Sequence, residues 1–224
     1  MTASLRFLLA AAALAGLSAP AQASTTIEVN LTTNQESIPI VPTTTLGAPR
    51  PTAFGHATFV INDAMTSMTM FVTVSNLDFT GSQTADINDN LLNAHIHAGT
   101  FPPPPALQNL PVVWGFFGAP FNDNNPNDAV VTPFSTGVGG TISGKWDATE
   151  GNNTTFLAQL QNILAGRAYI NFHTTQFTGG EIRGNFPSSI PEPSAWALML
   201  LGFGLMGVAL RRQNTREAGR LVQN

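Results

Sequence analysis

Three of the four histidines in this 224-residue chain sit in patterns that chemistry can use. His95 and His97 flank Ile96 in the stretch LLNAHIHAG, Leu91 to Gly99. In a strand, residues two apart project from the same face, so both imidazoles stand on one side and Ile96 on the other. Imidazoles at that spacing can chelate one metal ion, and they can equally serve as hydrogen-bonded structural groups. His173 lies in AYINFHTTQFTGGEIRGNF, Ala168 to Phe186. There Ala168, Ile170 and Phe172 alternate with Tyr169, Asn171 and His173, the period of a half-buried strand. A second run, Glu181 to Phe186, sets Ile182 against Glu181 and Arg183. The connection between the two runs ends in Gly179-Gly180, which suits a turn with positive φ. The two runs predict a β-hairpin with Asn171, His173, Glu181 and Arg183 on one face. In a chain with 10% charged residues, such a cluster is either a site or a structural network.

Both arrangements are open. If the Leu91 strand neighbours the hairpin, His95, His97 and His173 form a three-histidine centre with an open position, the pattern of zinc or copper. Glu181 would then stand behind it, orienting a histidine and fixing its tautomer. Alternatively the residues close into a hydrogen-bonded network. Arg183 then reaches Glu181, or a carbonyl of the Thr174 loop, and pins the hairpin. Chelation predicts ring nitrogens within roughly 4 Å of one another, given metal–nitrogen bonds of about 2 Å. His56, on an earlier strand and outside any motif, reads as structural or surface. Met68 and Met70 read as core fillers. Asp86 to Asn90 has the acidic start of a calcium loop, but Leu91 stands where the glycine should be and His97 where the glutamate should be. The chain has no cysteine, which excludes disulfides, thiolate ligands and a cysteine nucleophile. No serine lies in a Gly-x-Ser-x-Gly context, so a hydrolase elbow is unsupported.

These side chains must be positioned by an all-β domain. Thr26 to Thr32 alternates cleanly, and Phe54 to Ile61, Met68 to Val74, Pro111 to Phe117 and Val138 to Trp146 have strand character. Asn62-Asp63 begins a hairpin connection. Glu36 to Pro51, Asn76 to Asn90, the proline-rich Thr100 to Leu110 and the Asn/Asp-rich Phe121 to Pro126 read as edges or loops. Thr154 to Ala165 predicts one short helix. Thr154 or Thr155 would cap it, Phe156, Leu157, Leu160, Ile163 and Leu164 would form its apolar stripe, and Gly166 would stop it. Many short strands with frequent turns predict an antiparallel, Greek-key-like β-sandwich.

Both ends carry addresses. Arg6, the apolar run Phe7 to Leu17 and Ala21-Gln22-Ala23 fit a secretory signal peptide over 1–23, cleaved before Ser24 by signal peptidase. Residues 194–210 hold no charge, which predicts a membrane helix at the short end of the spanning range. Arg211 and Arg212 open a basic tail, 211–224, placed in the cytoplasm by the positive-inside bias. The β domain then covers 24–187, followed by a linker, 188–193. Between Ser24 and Ile190 stand four basic and eleven acidic residues, a net charge of −7. That balance offers no basic footprint for nucleic acid and suits a soluble, outward-facing module.

Pro191-Glu192-Pro193, then the apolar helix, then Arg211-Arg212, resembles the PEP-CTERM sorting signal of Gram-negative bacteria. That resemblance implies processing by an exosortase and release to the cell surface or an exopolysaccharide matrix. Ala94 to Gly99, Pro111-Val112-Val113, the short helix ending in Ala165-Gly166, Tyr169 to Thr174 and Gly180 to Gly184 together resemble a CHRD (chordin) domain. In animals such domains sit in an extracellular antagonist of growth factors. In bacteria the resemblance implies a secreted module of undefined role and does not imply an enzyme; a non-catalytic binding or matrix module with an exopolysaccharide or surface-protein ligand is the expectation. The His-x-His strand also resembles the copper strand of Cu/Zn superoxide dismutases, which implies the alternative of a metal protein with dismutase-like chemistry.

Overall fold

The computed structural model describes residues 24–100, 109–189, 199–207 and 211. Among these, nine strands form: β1 (Thr25–Thr32), β2 (Phe54–Ile61), β3 (Met68–Ser75), β4 (Leu91–Ala98), β5 (Val112–Phe117), β6 (Val130–Pro133), β7 (Gly139–Trp146), β8 (Ala168–Thr174) and β9 (Ile182–Asn185). Helix α1 (Phe156–Leu164) lies between β7 and β8. The strands pair antiparallel in the order β5-β4-β8-β9-β1-β2-β3-β7-β6. The register between β1 and β9 is a single pair, Thr32 with Arg183. At that seam the sheet curls, and its two halves face each other. Trp114 of β5 stacks on Trp146 of β7, with ring centres 5.5 Å apart and planes 6° from parallel. Phe59 of β2 meets Phe186, just past β9, at 4.6 Å. The all-β antiparallel expectation holds, and the two layers of the sandwich are one continuous sheet.

Alternation explains which face each strand buries. Ile27, Val29 and Leu31 of β1, Phe59 and Ile61 of β2, and Met68, Met70 and Val72 of β3 fill the space between the halves. The methionines are core, as their spacing predicts. Strand β8 departs from the half-buried expectation, because all seven of its residues are buried. Ala168, Ile170 and Phe172 join the core, while Tyr169, Asn171 and His173 are covered from the back by loops. Thr155 caps α1, its hydroxyl accepting the Ala158 N–H at 3.2 Å. Gly166, at φ +69°, ends it. Phe156 and Ile163 are buried, but Leu157 is exposed and falls outside the stripe. Strand β6 was not foreseen. It is a four-residue, largely exposed edge strand, too short to show a period.

Ala21, Ala23, Pro191, Glu192, Pro193 and Arg212 lie outside the described residues, as do most residues flanking them. Within the expected membrane helix, residues 199–207 are helical, and Leu200, Leu201, Phe203 and Leu205 are exposed. Among the described residues no helix is long and apolar enough to cross a membrane.

Trp146 stacks on Trp114, meets Phe156 edge-on at 5.5 Å and donates its indole N–H to the Glu150 carbonyl at 2.8 Å. Trp146→Ala should therefore cost about 3–5 kcal/mol, read as a lower urea midpoint for the full chain.

Candidate metal centre

Strands β4 and β8 bring the predicted residues together. Their register sets Asn93 opposite His173, His95 opposite Asn171, and His97 opposite Tyr169. Residues paired across two strands share a face, so these six side chains stand side by side on the back of the sheet. Strand β9 adds Arg183 opposite Asn171. This face is polar and nearly dry: His95 is 4% exposed, His97 7% and His173 7%. His56 lies elsewhere, half exposed, beside Glu28 at 3.1 Å.

Each imidazole is tied by one nitrogen to a backbone carbonyl in a different loop. His95 Nε2 meets Ala119 O at 3.0 Å, His97 Nδ1 meets Leu110 O at 2.8 Å, and His173 Nδ1 meets Thr178 O at 3.0 Å. A carbonyl only accepts, so the bonded nitrogen must carry the proton. The tautomers follow, and each ring keeps a lone pair on its other nitrogen. Those atoms, His95 Nδ1, His97 Nε2 and His173 Nε2, are buried and find no hydrogen-bond partner among the described residues. Burial holds the imidazoles neutral. It pushes His95 down to about 4, helped by the neighbouring His173. It pushes His97 down to about 3, against the hydrogen bond to Leu110. His173 is lowered as well, by burial first.

One ring nitrogen from each histidine lies within 4.8 Å of those of the other two. Three neutral imidazoles with ring nitrogens this close in a dry place are a donor set that suits a transition-metal ion. The bound exceeds the roughly 4 Å of a formed centre. An ion at the middle of a triangle of that side sits about 2.8 Å from each corner, so bonds of about 2 Å need each ring to move inward by less than about 1 Å.

The charged residues of the hairpin do something else. Glu181, expected behind a histidine, takes both ends of the Arg50 guanidinium, at 2.8 and 2.5 Å, and the Thr174 hydroxyl at 2.7 Å. Histidine orientation falls instead to the backbone carbonyls of Ala119, Leu110 and Thr178. Arg183 pairs with Glu36 at 3.6 Å and donates to Asn109 at 2.9 Å. Its guanidinium also covers the Tyr169 ring at 3.7 Å, and Tyr169 stacks on His97 at 4.6 Å, 11° from parallel. The network differs from the expected one: among the described residues Arg183 meets Glu36 and Asn109 rather than Glu181 or a Thr174-loop carbonyl, Glu181 is taken by Arg50, and the three histidines cluster beside these pairs. Burial pushes the Glu36 carboxyl up to about 7, against the pull of Arg183. Sequence reasoning missed Arg50, Glu36 and Asn109, which lie in segments read as loops. The usable signal was scarcity, since a body with four basic residues has few partners to offer a buried carboxylate.

Two glycines let the loops close over the histidines. A side chain on Gly115 would meet Pro120 O at 1.8 Å and His95 Cδ2 at 3.2 Å. The chain after β5 therefore folds back directly over Gly115 and delivers the Ala119 carbonyl to His95. Gly180, at φ +124°, leaves room on the same face for the side chains of Asn171 and Glu36.

Two outcomes follow from this geometry. Gly115→Ala should destabilise the full chain by about 1–3 kcal/mol, while Gly179→Ala, whose side chain meets open space, should change little; urea titration separates them. Acid should also weaken the metal-free protein. Above pH 6.5 the histidines are neutral in both states and contribute nothing. Below it the unfolded chain takes up protons that folded His95 refuses to about pH 4 and His97 to about pH 3, so stability falls. Glu36, which holds its proton when folded, offsets part of the fall. The urea midpoint should drop between pH 7 and 5, and less steeply in His97→Gln.

A family model for the CHRD domain matches residues 27–186. A second, for the PEP-CTERM protein-sorting motif, matches residues 189–213. No curated protein and no solved structure matches the chain. The sorting motif assigns export to the cell surface or beyond, with processing by an exosortase. Neither match is to an enzyme family. The chain belongs to the CHRD domain family, and it joins that domain to a PEP-CTERM sorting motif.

Proposed function

We propose that this exported CHRD protein is a non-enzymatic surface or matrix module that binds one zinc or copper ion through His95, His97 and His173. One observation carries the reading: three buried imidazoles, each held in a fixed tautomer by a carbonyl, keep three lone pairs without a partner among the described residues. An unmet buried polar atom costs about 1–3 kcal/mol, and three such atoms in one place point to a shared ligand. In the proposed life of the chain, residues 1–23 are removed by signal peptidase. The uncharged stretch 194–210 would hold the domain at the inner membrane until the exosortase acts at Pro191-Glu192-Pro193, with Arg211 and Arg212 on the cytoplasmic side.

A second reading keeps the module without metal, as a binder of exopolysaccharide or a surface protein. The observation in its favour is the exposed apolar series Ile38, Val41 and Leu46 on the loop between β1 and β2.

Metal content of the purified full chain separates the two. The metal reading expects about one zinc or copper per chain, lost in His97→Ala. No metal in either protein, with the variant merely less stable, would sink it and leave the histidines structural.

A further inference from the structure

The charge around the histidines discriminates between metal ions, on the reading above that the three rings bind one. All three donor nitrogens are neutral. The carboxylates on this face are committed elsewhere: Glu181 to Arg50 and Thr174, and Glu36 to Arg183. The other buried acceptors there without a partner are Asn93 Oδ1 and Asn171 Oδ1, both neutral amides, and Glu36 Oε1, whose carboxylate is shared with Arg183 through its other oxygen. An ion bound at this centre therefore keeps its whole charge, even with a fourth ligand from either amide.

That charge would be nearly dry, since the three histidines are 4–7% exposed. The cost of removing an ion from water grows with the square of its charge, so a divalent ion is penalised about four times as heavily as a monovalent one. A fixed positive charge adds to the discrimination. Arg183 lies on the far face of Tyr169, and Tyr169 lies flat on His97, so the guanidinium repels a divalent ion twice as strongly. Coordination number points the same way. Zinc and divalent copper complete four or more positions, often with water or an anion. Monovalent copper is satisfied by three nitrogens, and three imidazole nitrogens within 4.8 Å of one another are what β4 and β8 supply.

We propose that the His95, His97 and His173 centre selects monovalent copper over both zinc and divalent copper.

The test uses the metal-free full chain in mild detergent. Monovalent copper is titrated without oxygen in competition with a chromophoric chelator, and zinc and divalent copper are titrated in parallel. The expected result is one monovalent copper per chain, bound at least about a thousand-fold more tightly than either divalent ion, against the usual order that favours divalent copper. His173→Ala should weaken monovalent copper by at least about a hundred-fold. X-ray absorption on the wild-type complex, which needs no variant, should report three nitrogens at about 2 Å and a monovalent edge. Equal or tighter binding of zinc or divalent copper would overturn the selectivity and leave the three-histidine reading standing. Failure of all three ions to bind one per chain would overturn both.

Discussion

The back of the β4-β8-β9 half is polar and buried, and much of the molecule is arranged to make that tolerable. A sheet facing water can leave its outer side chains to solvent, whereas a covered sheet must find a partner for every polar atom. Here the partners come from loops. The carbonyls of Leu110, Ala119 and Thr178 each take one imidazole N–H. The Leu110 peptide is used twice, since its own N–H reaches the Tyr169 hydroxyl at 3.1 Å. The three loops are thus located by the histidines as much as the histidines are oriented by the loops.

This coupling separates two kinds of polar group that share a face. The charged residues turn to one another. Arg50 and Glu181 form a two-point pair with neither side chain open to solvent, and Thr174 and Gln176 close its edges. Buried pairs of this kind are poor sources of net stability, because desolvation offsets most of the attraction. Their effect here is geometric: Arg50 ties the loop between β1 and β2 to the hairpin of β8 and β9, and Arg183 ties it to Glu36. The histidines stay outside that exchange and remain uncharged. The face that results carries three neutral imidazoles, each with one ring nitrogen without a hydrogen-bond partner among the described residues.

The absence of cysteine gives the arrangement a further meaning for a protein sent outside the cell. Many exported domains are stapled by disulfides, and this chain has no such option. Its stability rests on the stacked Trp114 and Trp146 and the apolar face of each strand, with the loops secured by hydrogen bonds and buried ion pairs. An ion among the three histidines would couple those loops to one another, because metal binding energy becomes folding energy where ligands come from separate segments.

Much of this protein is written locally in its sequence. Alternation fixed the strands other than β6 and which of their residues face the core, the Thr155 cap and Gly166 fixed α1, and His95-x-His97 placed two imidazoles on one face whatever the partner strand. The sorting motif, too, is a linear pattern. The sequence did not contain the neighbour of each strand. Only the tertiary structure set β4 beside β8, added the third histidine, and paired Glu181 with Arg50, 131 residues away. It also decided that the back of β8 is buried, since the covering comes from loops with no period of their own. Strand periodicity is a property of consecutive residues, whereas register, cover and charge pairing depend on contacts between distant segments, which no local pattern encodes.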